Sequence, residues 1–140
     1  VSLAETQFNH LCRGSDDGGA SADWSPLMET DSETLMKEGC RLAGKTWVCT
    51  REELDWNNEE VNRVFCHQVG KGHRKLMYKN VGLDLQKDFS TLEFLGNTGS
   101  ASLPTTLAMG IEKNVLKPGD KAALLGIGSG LNCMMMGVEW

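Results

Sequence analysis

Residues 122–138 read AALLGIGSGLNCMMMGV, and this stretch decides the fold class. The run from Ala122 to Ile127 is apolar on both faces, which is typical of a strand buried between two layers of helices. Residues 128–130 (GSG) then form a hinge, and residues 133–138 are predicted to be the last strand. A strand covered on both sides implies an α/β domain.

A long helix is predicted in the first half of the chain. Apolar residues recur at 4-3-4 spacing between Met36 and Trp47, which predicts an amphipathic helix over residues 32–49. Gly39 and Gly44 lie inside this helix, where each costs about 1 kcal/mol relative to alanine. We therefore expect both glycines to pack closely against a neighbouring backbone.

Capping residues and the remaining patterns complete the expected order of elements. Thr30, Asp31 and Ser32 are candidate N-caps of the long helix, and Thr50 begins a second cap pattern that predicts a short helical turn to Trp56. Further strands are predicted at 2–8, 61–67 and 89–95, and further helices at 70–81 and 103–114, the latter capped by Ser100 or Ser102. Loops are predicted at 14–19 and 96–100, and a turn at 117–120. This order predicts one domain over residues 1–140, with a mixed sheet and helices on both of its faces.

Bulk composition excludes some classes of function for the chain. The 140 residues are 40% hydrophobic and 24% charged, with a net charge of -5, so the chain is globular but has no basic stripe to bind a phosphate backbone. Nucleic acid is therefore excluded as a partner. No apolar run reaches the ~18 residues that would cross a bilayer, and the opening residues do not resemble a signal peptide. We expect a soluble protein without a transmembrane segment.

The cysteine pattern indicates free thiols in a reducing cytoplasm. The chain has five cysteines, which is an odd number, without a CxxC pair or the His/Cys spacing of a zinc site. No metal or cofactor is expected. Cys40, Cys49 and Cys133 lie in apolar segments and are expected to pack as small hydrophobic side chains. Cys66 and His67 point to opposite faces of a strand, and Cys12 beside Arg13 is a weak candidate for reactivity.

Three turns carry groups that could perform chemistry. His67 ends a predicted strand, Asn97 follows another, and the backbone N–H groups at Gly128 follow a third. Taken singly, the histidine and the asparagine are more simply explained as structural residues. Ligands of open α/β sheets bind at the carboxyl ends of the strands, so the combination predicts a site.

The helix after His67 is locally basic in an acidic chain. It contains Lys71, His73, Arg74, Lys75 and Lys79. A solvated helix face explains this pattern, and so does a contact for a phosphate-bearing thioester carrier.

The motifs resemble a known enzyme family. His67-Gln68, residues 95–102 (LGNTGSAS) and residues 125–132 (LGIGSGLN) look like the three C-terminal signatures of β-ketoacyl synthase III enzymes of the thiolase superfamily. Residues 11–14 (LCRG) and the GIGSGLN motif look closest to the OleA branch, which joins two fatty acyl-CoA molecules head to head. The resemblance implies an enzyme of two similar halves in a five-layer αβαβα architecture, of which residues 1–140 form the C-terminal half.

The resemblance also implies roles for particular residues. His67 and Asn97 would donate hydrogen bonds to a thioester oxygen, and the Gly128 N–H would belong to an oxyanion hole. Lys71 and Arg74 would contact the carrier. Leu95 and Leu131 are consistent with an acyl channel, and ordinary core packing also explains them. The nucleophilic cysteine lies in the N-terminal half of such enzymes, so a second chain or a longer polypeptide would supply it.

The expected activity is therefore an acyltransferase of the Cys-His-Asn type, active as a homodimer of the complete enzyme. It would condense fatty acyl-CoA thioesters to a β-ketoacyl thioester, with a glutamate of the opposite subunit as base. Decarboxylative condensation onto malonyl-acyl carrier protein is an alternative within the superfamily. A non-catalytic half that stabilises or regulates a partner is the alternative from another class.

Overall fold

The computed structural model describes residues 1–14 and 28–140 of the chain. The expected loop at 14–19 lies, apart from Gly14, outside these residues. The strands are β1 (Ser2–Ala4), β2 (Cys12–Gly14), β3 (Met28–Thr30), β4 (Arg63–Cys66), β5 (Lys121–Gly128) and β6 (Asn132–Glu139). Four of them form a sheet in the order β1-β6-β5-β4, and β2 pairs with β3 separately. Since β4 is parallel to β5 while the other two pairs are antiparallel, the predicted mixed sheet is confirmed.

Helices cover both faces of this sheet. They are α1 (Ser32–Leu54), α2 (Lys71–Val81), the single turn α3 (Leu92–Leu95) and α4 (Ser102–Glu112), with 3-10 turns at Thr6–Leu11, Leu85–Lys87 and Gly99–Ala101. On one face, Trp47 of α1 and Met77 of α2 pack against Leu125 and Met135 of the sheet. Burying one such side chain contributes roughly 2 kcal/mol. The other face packs against α4, so the predicted layering is confirmed.

The α4 face of the sheet is covered only in part. Side chains alternate along β6: Cys133 and Met135 are buried beneath α1, whereas Met134 and Met136 are 56% and 46% exposed. Trp140, just beyond the strand, is also exposed. These residues form an exposed apolar strip on the α4 face of the sheet.

The long helix begins as predicted and continues further. Asp31 is its N-cap, and the carboxylate accepts a hydrogen bond from the Thr34 N–H at 3.1 Å. The predicted second cap at Thr50 is wrong, because the Thr50 hydroxyl donates to the Thr46 carbonyl at 2.7 Å and leaves the helix unbroken to Leu54.

Both glycines of α1 pack closely; the predicted contact with a neighbouring backbone is confirmed for Gly44, whereas Gly39 faces a side chain. A Cβ atom at Gly39 would stand 3.1 Å from the Ile127 side chain, and one at Gly44 would stand 3.2 Å from the Asn80 carbonyl oxygen. Gly39 therefore lets α1 approach the sheet, and Gly44 lets it approach α2.

The predicted strand at 89–95 is wrong. Only Asp88 forms a β-bridge, to Val64, and the Phe89 N–H donates to the Val64 carbonyl at 3.0 Å. The chain then leaves the sheet, and α3 begins at Leu92. Ser100 and Ser102 do not cap α4 either, because Ala101 holds the N-cap position.

None of the helices in the described ranges combines the length and apolar character that a bilayer crossing requires. Within those ranges, no three His, Cys, Asp or Glu side chains are grouped so that they could hold a metal ion.

Candidate active site

His67 directly follows β4 at the carboxyl end of the parallel pair. Cys66 is in register with Leu125, and the His67 N–H donates to the Leu125 carbonyl at 2.9 Å. The imidazole is half-buried, and burial lowers its pKa. The side chain is therefore mainly neutral at pH 7, so one ring nitrogen keeps a proton to donate.

A second histidine lies beside it. His73, in the first turn of α2, lines the same small cavity as His67, together with Met77 and Ile127. The cavity measures about 10 Å³, which is at the lower limit for one water molecule. Burial lowers the pKa of His73, and so does the nearby His67. A positive charge on His67 therefore disfavours protonation of His73.

Asn97 lies in an exposed loop after α3, and not at the end of a strand as the sequence suggested. Gly96 enters the loop with φ of 68°. The Asn97 Oδ1 atom accepts a hydrogen bond from the Gly99 N–H at 3.0 Å. This bond orients the amide, whose Nδ2 hydrogens can donate to a ligand.

Gly128 ends β5 at the same edge of the sheet as His67. It is paired with Asn132 of β6 and exposed. The Asn132 amide donates to the Ser129 carbonyl at 3.1 Å, which stabilises the turn that follows Gly128. Parallel pairing of β4 and β5 therefore brings two of the three predicted site residues to one edge.

Gln68 joins the strand-end histidine to the segment that leads to Asn97. Its side chain is buried: Nε2 donates to the Cys66 carbonyl at 2.7 Å, and Oε1 accepts from the Ser90 hydroxyl at 2.8 Å and the Leu92 N–H at 3.1 Å. In the sequence, Gln68 was recognised only as part of the His67-Gln68 motif. Its position between a histidine and a helix that begins after a glycine was the signal that could have identified its role.

The two candidate carrier-binding residues have partners within the chain. Lys71 forms an ion pair with Glu93 at 3.2 Å, and both side chains are 75% exposed. The Arg74 Nε atom is paired with Asp88, whose side chain is fully buried. The Tyr78 hydroxyl donates to the same carboxylate at 2.6 Å. Arg74 thus has a structural partner that the sequence did not reveal.

The two candidate channel residues have different settings. Leu95 is 41% exposed at the end of α3, whereas Leu131 is 1% exposed within the core beneath α1. Leu95 is available to a ligand, and Leu131 packs.

The cysteines divide by environment. Burial raises the pKa of Cys40 to about 11, and it also raises the pKa values of Cys66 and Cys133. Hydrogen bonds from Ser129 and Thr30 lower the pKa of the Cys12 thiol. The predicted packing is confirmed for Cys40 and Cys133, whereas Cys49 is only partly buried. Cys12 has the setting of a more reactive thiol.

The fold and the arrangement of turns define the chain as a thiolase-like α/β domain. It aligns over its full length with a crystal structure of Xanthomonas campestris OleA with bound lauric acid and lauroyl-CoA, at a TM-score of 0.88 and 41% identity, and covers 39% of that chain. It also aligns over its full length with a 3-oxoacyl-(acyl carrier protein) synthase III, FabH, from Xanthomonas oryzae, at a TM-score of 0.87 and 40% identity, and again covers 39% of that chain.

Sequence similarity identifies the family. Residues 52–140 match the family model described as 3-oxoacyl-[acyl-carrier-protein (ACP)] synthase III C terminal, and the chain belongs to this family. It is 42% identical over 139 residues to an acyl-CoA:acyl-CoA alkyltransferase from Shewanella oneidensis, covering 99% of this chain and 40% of that protein. Its identity to the enzyme of the same name from Xanthomonas campestris is 41%, covering 100% of this chain and 39% of that protein. The chain thus spans about 40% of the length of these curated relatives.

Proposed function

We propose that the complete enzyme containing this chain joins two fatty acyl-CoA thioesters by Claisen condensation to give a β-ketoacyl thioester. The observation that carries the proposal is the similarity, along at least 99% of the chain, to two acyl-CoA:acyl-CoA alkyltransferases. The reaction needs no metal or organic cofactor, because the thioester substrates supply both the leaving group and the acidic α-carbon.

The proposed reaction has two stages. A cysteine thiolate of the N-terminal half attacks the first acyl-CoA, forms an acyl-cysteine thioester and expels CoA. A base outside this chain, a glutamate of the opposite subunit, then removes an α-proton from the second acyl-CoA. The resulting carbanion attacks the acyl-cysteine carbonyl, so that a C–C bond forms, the C–S bond breaks and the cysteine leaves as thiolate.

His67 and Asn97 act in the second stage. Negative charge grows on the thioester oxygen as the α-proton leaves, and donors aimed at that oxygen lower the barrier. The lowered pKa of His67 keeps the imidazole neutral, with Nε2–H as the proposed donor. The Gly99 N–H holds the oxygen of the Asn97 amide and leaves Nδ2–H as the second donor.

Gly128 contributes through its backbone. The proposed role of its N–H is to stabilise the tetrahedral intermediates of acyl transfer to and from the cysteine. Lys71 and Arg74 are proposed to contact the phosphates of CoA, with Leu95 at the acyl chain. Leu131 supports this region by packing rather than by direct contact, in keeping with its burial.

An N-terminal half is the proposed partner of this domain, in an enzyme that forms a homodimer. Support comes from the relatives, of which this chain covers about 40%, and from the exposed strip that includes Met134, Met136 and Trp140. A partner that covered this strip would remove apolar surface from water. A cytoplasmic location, where free thiols stay reduced, is part of the proposal.

Decarboxylative condensation onto malonyl-acyl carrier protein is the second candidate. The family description and the 40% identity to the Xanthomonas oryzae FabH structure favour it. Both candidates need the same donors at His67 and Asn97, because both pass through an enolate.

Incubating the complete enzyme with lauroyl-CoA alone tests the proposal. Formation of a β-ketoacyl product supports it, whereas product only after addition of malonyl-acyl carrier protein supports the second candidate. His67→Ala and Asn97→Ala should each lower the rate by roughly 10² to 10³, the scale for removing one oxyanion donor. His10→Ala is the matched control, because His10 is exposed in a 3-10 turn.

The two remaining alternatives give different results. If His67→Ala retains activity within a few-fold of the parent enzyme, the chain is a non-catalytic half and the proposal is wrong. Mass spectrometry of the acylated enzyme locates the nucleophile. An acyl group on Cys12, rather than on a cysteine of the N-terminal half, would contradict the proposed division of the site.

A further inference from the structure

Gln68 is a buried polar side chain whose hydrogen bonds all lead to the candidate site. It is 2% exposed; its Oε1 atom accepts two hydrogen bonds at 2.8 and 3.1 Å, and its Nε2 atom donates to the Cys66 carbonyl at 2.7 Å and to the Cys66 sulfur at 3.7 Å. Glutamine combines a donor and an acceptor at this reach, whereas ionised glutamate offers acceptors alone. Position 68 therefore requires a side chain that both donates and accepts hydrogen bonds at this length, and few other side chains do so.

The groups that Gln68 joins come from two different segments. The Cys66 carbonyl belongs to the last residue of β4, immediately before His67. The Leu92 N–H belongs to the first residue of α3, a single turn that ends one residue before Gly96-Asn97. The amide thus spans the gap between the backbone that carries the imidazole and the backbone that leads to the carboxamide.

Other contacts do not replace this connection. The predicted strand at 89–95 is absent, so the segment before Asn97 is attached to β4 by a β-bridge at Asp88, a 3.7 Å contact of the Cys66 thiol with the Asp88 carboxylate, and the Phe89 N–H. These contacts hold residues 88 and 89, whereas Gln68 holds Ser90 and Leu92. Lys71 and Glu93 form a second link, but that ion pair is 75% exposed and screened by solvent. The buried amide is the better-defined tie between the two segments.

We propose that Gln68 is a positioning residue that sets the distance between the His67 imidazole and the Asn97 carboxamide. This inference rests on the proposed function, in which both groups donate to one thioester oxygen. A displacement of about 1 Å in such a donor pair can cost on the order of 10² in rate. Because the enolate forms only in the condensation stage, the effect should fall on that stage and leave acylation of the cysteine unchanged.

Gln68→Met tests this in the complete enzyme, because methionine keeps the length of the side chain and removes its hydrogen bonds. We expect condensation of lauroyl-CoA to slow by about 10², with enzyme acylation and KM within a few-fold of the parent. Ser90→Ala removes the hydrogen bond that the Ser90 hydroxyl donates to Gln68 and should slow condensation by roughly fivefold, the equivalent of about 1 kcal/mol. It serves as the test if Gln68→Met does not fold.

Thr50→Val is the matched structural control. Thr50 is buried in α1, and its hydroxyl donates to the Thr46 carbonyl at 2.7 Å within the same helix, so this bond involves neither Gln68 nor the segment that leads to Asn97. It should lower the thermal midpoint as Gln68→Met does but leave the condensation rate within a few-fold. If both variants slow condensation equally, or if Gln68→Met slows acylation as much as condensation, the positioning role is refuted.

The His67→Ala variant separates the two proposals. Since Gln68 acts through His67 and Asn97, adding Gln68→Met to His67→Ala should lower the rate little further. A full additional loss would overturn the positioning role while the proposed function stands. An active His67→Ala enzyme would overturn both.

Discussion

Replacing Gly110 with alanine should destabilise the protein through one steric contact. Gly110 is buried in α4, and a Cβ atom there would stand 2.4 Å from Cε1 and 2.9 Å from Cζ of Phe65. Phe65 is fully buried in β4, with the ring of Phe89 at a centroid distance of 6.0 Å. The Phe65 ring is rigid and enclosed, so it cannot yield without moving its neighbours.

Two opposing effects decide the size of the change. Carbon atoms normally approach to about 3.5 Å, so the added methyl group overlaps the ring by roughly 1 Å. Overpacking of this kind costs about 1–3 kcal/mol, and this overlap belongs near the upper end. Alanine is about 1 kcal/mol better than glycine in a helix interior. The free energy of unfolding should therefore fall by about 2 kcal/mol.

Urea unfolding of the complete enzyme measures this difference. Gly72→Ala is the control, since Gly72 is exposed in the first turn of α2 and an added Cβ would have no neighbour within 4 Å. Gly72→Ala should leave stability unchanged or slightly raised. Equal urea midpoints for Gly110→Ala and Gly72→Ala would refute the packing of α4 on Phe65.

Three other groups give separate predictions. Asp88→Ala should lower the free energy of unfolding by about 3 kcal/mol, which is the lower end for breaking a buried ion pair, because Arg74 is partly exposed. Thermal unfolding tests this, with Asp88→Asn measured beside it for comparison. An unchanged thermal midpoint for Asp88→Ala would contradict the prediction. Burial lowers the pKa of His67 and of His73, so below about pH 6.5 the unfolded chain binds more protons and stability should fall as pH drops toward the folded pKa values. Replacing both histidines with glutamine should flatten that part of the stability curve, and an unchanged slope would exclude them as its cause. Iodoacetamide should modify Cys12 before the three buried cysteines, because burial raises the pKa values of those three thiols. Peptide mapping measures the modification rates, and equal rates for all four cysteines would contradict this.

Elements whose patterns reflect burial were predictable from the sequence. The 4-3-4 spacing located α1, and the doubly apolar run from Ala122 to Ile127 located β5, because each pattern follows from the faces that the element buries. The close packing at Gly39 and Gly44 was predictable for a related reason. Glycine in a helix interior is unfavourable unless a neighbour needs the space.

Elements that depend on distant partners were not predictable. The 89–95 segment has the composition of a strand, yet the Gln68 amide binds Ser90 and Leu92 and turns the chain away from the sheet. Asp88 is buried because Arg74 and Tyr78, from another element, satisfy its carboxylate. Such hydrogen bonds leave no periodic trace in the sequence.

The difference between burial patterns and contacts of distant residues also explains which residues of the candidate site were predictable. His67 and Gly128 lie at one edge of the sheet because β4 and β5 are parallel neighbours, an arrangement that strand-helix-strand patterns predict. Asn97 was expected there for the same reason, but it follows α3 and is connected to β4 through Gln68. A strand would have fixed Asn97 by a continuous ladder of hydrogen bonds. Beyond the contacts of Asp88 and Phe89 with β4, the buried Gln68 amide takes the place of that ladder, so we expect the spacing of the two proposed donors to depend strongly on this one side chain.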